Sequence, residues 1–180
     1  MTAMAGRFVN SVAAVPVPEA RALTSPWRRP SALDAHVTLA APFLDAAVID
    51  EHVITAFHEC LSDARSFDVV FGAVGWFDER VVYVAPDDPI PFERLAQTLA
   101  RRFPADTSAK GPPVFVPHLT VAKSRQVEEL QMAAATSATL LPLYARAREV
   151  VLYLYDDATR SWRARTRVQL ASLPLTDRDG

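Results

Sequence analysis

Glycine is scarce: five in 180 residues, forming neither a G-x-G-x-x-G run nor a Walker pattern, so the chain has no Gly-rich loop to cradle phosphates. Cysteine occurs once, at Cys60, which rules out an internal disulfide and fits a reducing compartment. Lysine is almost missing, with Lys110 and Lys123 the only two. A basic excess is missing as well. The formal net charge of -2 argues against a broad nucleic-acid binder, whose affinity comes from neutralising many phosphates. It leaves room for a small nucleotide or a strand terminus. No apolar run is long enough to span a bilayer. The opening MTAMAGRFVNSVAAVPVPEA lacks a dense basic start, and Asn10 and Ser11 interrupt its apolar segment. It therefore reads as a strand rather than a signal peptide, and the expected location is the cytoplasm. Half the residues are hydrophobic, enough for one core shared by two small lobes. The expectation is one domain over 1–175, a frayed tail over 176–180, and a monomer.

Periodicity predicts a strand over 8–17, a Pro-broken helical piece near 19–27, a loop over 28–33 and a strand over 34–41. A helix follows over 46–63, with Ile49, Val53, Phe57, Cys60 and Leu61 at helical spacing. A strand over 66–74, a hairpin turn over 75–80 and a returning strand over 81–85 come next. Phe92, Leu95, Leu99 and Phe103 mark a helix that Pro104 stops. Residues 105–113 read as a loop, 114–123 as a strand and 127–140 as a weakly amphipathic helix. Two final strands, 149–155 and 162–171, close the chain. The alternation predicts α/β or α+β layering. One order of events occurs twice: strand, helical piece, strand with His-x-Thr-aliphatic, helix, strand. The two motif histidines lie 82 positions apart, which suggests two similar lobes about a pseudo-twofold.

The motifs are His36-Val37-Thr38-Leu39 and His118-Leu119-Thr120-Val121. Side chains two apart on a strand share a face. Each strand thus presents an imidazole beside a hydroxyl and buries an aliphatic pair. Two such strands side by side would line a cleft with two imidazoles and two hydroxyls. Imidazoles titrate near neutrality, so one can be neutral while its partner is protonated. The neutral one takes a proton from water, and the charged one gives a proton to a departing sugar oxygen. Threonine hydroxyls can donate to non-bridging phosphate oxygens as charge grows there. The scheme needs no metal. A single His-x-Thr is ordinarily a half-buried histidine beside a β-favouring threonine. Two of only four histidines in one frame, one per half-chain, argue for chemistry.

HVTL at 36–39 and PHLTVAK at 117–123 resemble the paired motifs of the 2H phosphoesterase superfamily, in particular its branch of 2′-5′ RNA ligases and RNA 2′,3′-cyclic phosphodiesterases. VGWFDERVVYVAPDD at 74–88 resembles the hairpin that family places between them, and the PVPEA…SPWR opening is also similar. The first motif departs from better-known members: Leu33-Asp34-Ala35 stands where an Arg-Pro-rich lead-in is usual. The resemblance implies an α+β bilobal fold of two antiparallel sheets with outer helices around a central cleft. It implies His36 as proton donor, His118 as the residue that activates water, and Thr38 and Thr120 as phosphate-binding residues. The implied reaction opens a 2′,3′-cyclic phosphate to a 2′-phosphate, reversibly forming 2′-5′ linkages, with no cofactor.

Other residues have two readings each. Asp34 would favour imidazolium at His36 if it shared its face; otherwise it is a solvated strand-edge carboxylate. Tyr83 is a candidate to stack on a base or bond a phosphate, or packs in the core or at an interface. Lys123 offers a positive charge to substrate, but its odd spacing from Thr120 turns it away on a straight strand. Arg163, Arg165 and Arg167 alternate, as an RNA track or a solvated arginine face would. Trp76 and Phe77 could stack on a base or cap a lobe. His52 and His58, six apart on a helix, do not share a metal-binding face and read as solvated. Cys60 reads as a core thiol. Two rivals to the enzyme remain: a nucleotide- or RNA-end-binding module that keeps the cleft without turnover, and an adaptor whose motifs are core features. The second would not need its two histidines to meet.

Overall fold

The computed structural model describes residues 8–104 and 115–172. In chain order it contains β1 (Phe8–Pro16), α1 (Arg21–Thr24), β2 (His36–Ala40), α2 (Glu51–Leu61), β3 (Phe67–Phe77) and β4 (Val81–Pro86). Then come α3 (Ile90–Arg102), β5 (Leu119–Lys123), α4 (Val127–Thr139), β6 (Leu143–Ala147), β7 (Glu149–Asp156) and β8 (Ser161–Gln169). The repeated order of events is present as β1-α1-β2-α2-β3 and β4-α3-β5-α4-β6, with the β7–β8 hairpin appended.

All eight strands form one antiparallel sheet in the order β6-β3-β4-β5-β2-β1-β7-β8. The two expected sheets are its halves, joined where β2 meets β5 at a single residue pair, Val37 opposite Leu119. A parallel bridge between Arg65 and Ala171 ties the approach to β3 to the end of β8, so the sheet curls. One face is apolar and carries the core. Val37, Val82, Val84, Leu119 and Leu152 are fully buried there with Phe57 and Leu61 of α2, Phe92 and Leu99 of α3, and Leu130 of α4. Phe43 meets Phe57 and Phe103 edge-on, with ring centroids 5.6 and 5.0 Å apart. Truncating one such side chain costs about 2–5 kcal/mol. Among the described residues the helices α2, α3 and α4 occupy that face, and the two motifs present their polar side chains on the other.

Local departures from expectation have identifiable causes. The helix expected over 46–63 is split: Asp45 caps a 3-10 turn at Ala46–Val48, and the Asp50 carboxylate accepts from the Val53 amide to start α2 afresh. The hairpin turn is tighter than 75–80, because β3 runs to Phe77 and Asp78 and Glu79 turn the chain with φ of 46° and 52°. The strand β5 begins at Leu119 rather than residue 114. An additional strand, β6, pairs with β3 from Phe67–Ala147 to Phe71–Leu143. The loop expected over 105–113 and the tail over 176–180 lie outside the described residues.

Candidate active site

The pairing of Val37 with Leu119 fixes the site. In an antiparallel ladder, stepping one residue each way sets His36 opposite Thr120 and Thr38 opposite His118. Val37 and Leu119 are both fully buried, so all four polar side chains stand on the other face. Opposed Cβ atoms are about 5 Å apart and diagonal ones about 7–8 Å. The two imidazoles are the diagonal pair, each beside a hydroxyl from the other strand. The local twofold runs through the Val37–Leu119 pair.

Both rings are held alike. His36 Nδ1 lies 2.6 Å from the main-chain oxygen of Asp34, and His118 Nδ1 lies 2.7 Å from that of Val116. A carbonyl only accepts, so each Nδ1 carries the hydrogen, and neither Nε2 has a hydrogen-bond partner among the described residues. Main-chain carbonyls two residues upstream thus orient both rings. These orienting groups have no side-chain signature, and the motif spacing alone does not disclose them. Burial pushes the His36 pKa below the usual imidazole value. The Asp34 carbonyl opposes this, the His118 charge adds to it, and the Asp34 carboxylate again opposes it. The effect of His118 on His36 is that of a neighbour.

The flanks differ. Beside His118, Tyr83 stacks on Phe77 with centroids 4.2 Å apart, and both rings meet the imidazole edge-on at 5.4 and 4.8 Å. Gly75 makes this possible: a Cβ there would lie 2.3 Å from the Tyr83 ring. Trp76 points to the opposite face, opposite buried Val82. Beside His36, the exposed Asp34 carboxylate pairs with Arg28 at 2.9 Å. Asp34 therefore serves His36 chiefly through its backbone.

The straight-strand expectation for Lys123 is overturned. A bulge between the Val82–Ala122 and Tyr83–Thr120 pairs inserts Val121 as an unpaired extra residue and reverses the alternation beyond it. Val121 and Ala122 are both buried, while Thr120 and Lys123 are both exposed. Lys123 therefore stands on the face of Thr120 and Tyr83. A second bulge, between Leu152 and Tyr153 of β7, skips Arg165 of β8 and breaks up the supposed arginine face. Arg163 pairs with Asp156, Arg165 with Glu51 and Arg167 with Glu149. His58 bonds Thr166 across to β8 through Nε2, 2.6 Å from its hydroxyl, and the half-buried Cys60 thiol donates to the Phe57 oxygen.

A family model described as the 2′-5′ RNA ligase superfamily matches residues 9–159. This chain belongs to that superfamily. E. coli LigT in a complex with 3′-AMP is similar at 22% identity and a TM-score of 0.60, over 91% of this chain and 98% of that one. LigT in a complex with NADP+ has the same identity and score over 92% and 99%. TT0787 of Thermus thermophilus is 16% identical, with a TM-score of 0.59 over 91% and 99%. No curated protein matches the sequence. Membership of the 2′-5′ RNA ligase superfamily supports a phosphoesterase-type function, and the α+β, 2H-like fold is the one expected. Among the described residues no helix is long and apolar enough to cross a membrane.

Proposed function

We propose that this protein opens the 2′,3′-cyclic phosphate of a nucleotide or RNA terminus to a 2′-phosphate, by paired-histidine acid–base catalysis. The observation that carries the reading is the Val37–Leu119 register, which supports two His–Thr pairs around one phosphate-sized gap. His118 takes a proton from water through Nε2 as water attacks phosphorus. The P–O3′ bond breaks, and His36 delivers its Nε2 proton to O3′. Thr38 and Thr120 donate to the non-bridging oxygens, and Lys123 supplies the positive charge on the same face. Run backwards with a 5′-hydroxyl in place of water, the same steps exchange a cyclic phosphate and a 2′-5′ linkage. LigT, with structures in complexes with 3′-AMP, ATP and phosphate, supports a nucleotide-sized ligand.

Burial lowers the His36 pKa in the free protein and so favours its neutral form. A donor must carry a proton. The phosphate's own negative charge supplies the attraction that returns one. Substrate binding is thus coupled to proton uptake.

The experiment is turnover of nucleoside 2′,3′-cyclic phosphates with chelator present, with the product's phosphate position identified. The expected product is the 2′-phosphate, and His36→Ala and His118→Ala each lose about 10²-fold or more with the fold intact. Chelator-sensitive turnover points to a metallo-hydrolase instead. Tight binding without turnover points to the binding module. Turnover that persists in both alanine variants ends the proposal.

A further inference from the structure

A cavity of about 300 Å³ lies on the His36 side of the molecule, lined by Arg28, Asp34, Tyr153, Trp162, Ala164 and Arg167 among others. Ligand cavities begin at about this size. Its floor belongs to the same sheet face as the His–Thr pairs. Thr38 pairs with Ala14, and Ala14 pairs with Val151. Val151 pairs with Arg167, Tyr153 with Ala164, and Tyr155 with Trp162. Opposed residues share a face, so Arg167, Tyr153, Ala164 and Trp162 look out where Thr38 does. The roof is the segment before β2, ending at Asp34, whose carbonyl orients His36. Strands are spaced about 4.8 Å apart, so Tyr153, two strands from β2, stands about 10 Å across the sheet from it.

We infer that this cavity seats the nucleobase of the cyclic phosphate. The inference rests on the proposed reaction, with His36 as donor. His36 then touches the leaving O3′. That oxygen is bonded to the ribose, so sugar and base hang on the His36 side. Water arrives opposite, at His118, where Tyr83 and Phe77 are closed on each other and orient that ring. The cavity has the chemistry a base needs. Trp162 offers an indole face, held edge-on against Tyr155 at 5.2 Å. Ala164, opposite Tyr153, leaves space between the aromatic side chains. Both guanidiniums already have carboxylates, Arg28 with Asp34 and Arg167 with Glu149. A neutral ring with donors and acceptors fits these compensated charges better than a second phosphate does. Tyr83 and Phe77 become positioning residues for His118 rather than a base platform.

The test compares two substrates in the full chain: adenosine 2′,3′-cyclic phosphate and the baseless 1-O-methylribose 2′,3′-cyclic phosphate. Ala164→Trp fills the cavity and Trp162→Ala removes its indole. The expected result for both variants is a KM about 10-fold higher for the adenosine compound, a kcat within about threefold, and unchanged kinetics on the baseless compound. Circular dichroism and thermal melting establish that each variant is folded. Equal losses on both substrates, or no change on either, overturn the assignment. So does a Tyr83→Ala variant whose loss is confined to the adenosine compound. Wild-type protein that turns over neither compound defeats the proposed reaction and this inference with it. Wild-type turnover of both, without base-selective loss in the variants, defeats the cavity assignment alone.

Discussion

The two halves of the cleft share one device and differ in everything around it. On each side an imidazole donates through Nδ1 to the carbonyl two residues upstream and faces a threonine on the other strand. On the His36 side the surroundings are polar: an Arg28–Asp34 ion pair and an open cavity. On the His118 side they are aromatic, with Tyr83 and Phe77 packed against the ring. The β5 bulge adds Lys123 to that half only. In the proposed reaction the symmetric part supplies the acid–base chemistry, and the asymmetric part decides which histidine faces the sugar and which faces water.

The largest expected effect bears on the symmetric part. His36→Ala and His118→Ala each lose about 10²–10⁴-fold in kcat, and the double variant loses little more than the worse single, because the two act as a unit. Next, Thr38→Val and Thr120→Val each lose on the order of 10²-fold in kcat; a loss at only one would show that the phosphate leans to one strand. Lys123→Gln sharpens the asymmetry. It is expected to raise KM about 10-fold and to weaken the salt dependence of kcat/KM, while Arg163→Gln, whose arginine is already paired with Asp156, leaves both unchanged. The smallest effect is on stability. The folded His36 pKa lies below its ordinary value, so between the two the unfolded chain binds the extra proton, and stability falls as pH drops below about 6.5. Above that pH the contribution is complete. Denaturant titrations at pH 5 and pH 7.5 are expected to show a smaller acid loss in His36→Asn than in wild type.

The motifs were legible because a two-residue period states which side chains share a face, and buried Val37 and Leu119 enforce it. The helix α3 was legible from the apolar spacing of Phe92, Leu95 and Leu99 and from Pro104, and α4 from its weak amphipathicity. The bulges were not. One extra residue reverses the alternation of everything beyond it, and no residue type in Thr120–Lys123 or Ala164–Thr166 announces it. This is why Lys123 is turned away and the three arginines share a face on straight strands, but not in the fold. The strand β6, LYARA, escaped because it is short and mixes an exposed Tyr144 with buried Ala145 and Ala147; alanine carries little strand signal. The cavity beside His36 is a product of sheet order, since β7 returns from more than a hundred residues away to pair with β1 and carries β8 on its outer edge.

The central claim is that two imidazoles divide acid and base work on one phosphate, and the pH dependence of kcat/KM tests it most directly. With adenosine 2′,3′-cyclic phosphate and chelator present, wild-type protein is predicted to give a bell with two limbs. The residual activity of His36→Ala is predicted to lose the alkaline limb, and that of His118→Ala the acidic one. A profile that keeps both limbs in either variant contradicts the account.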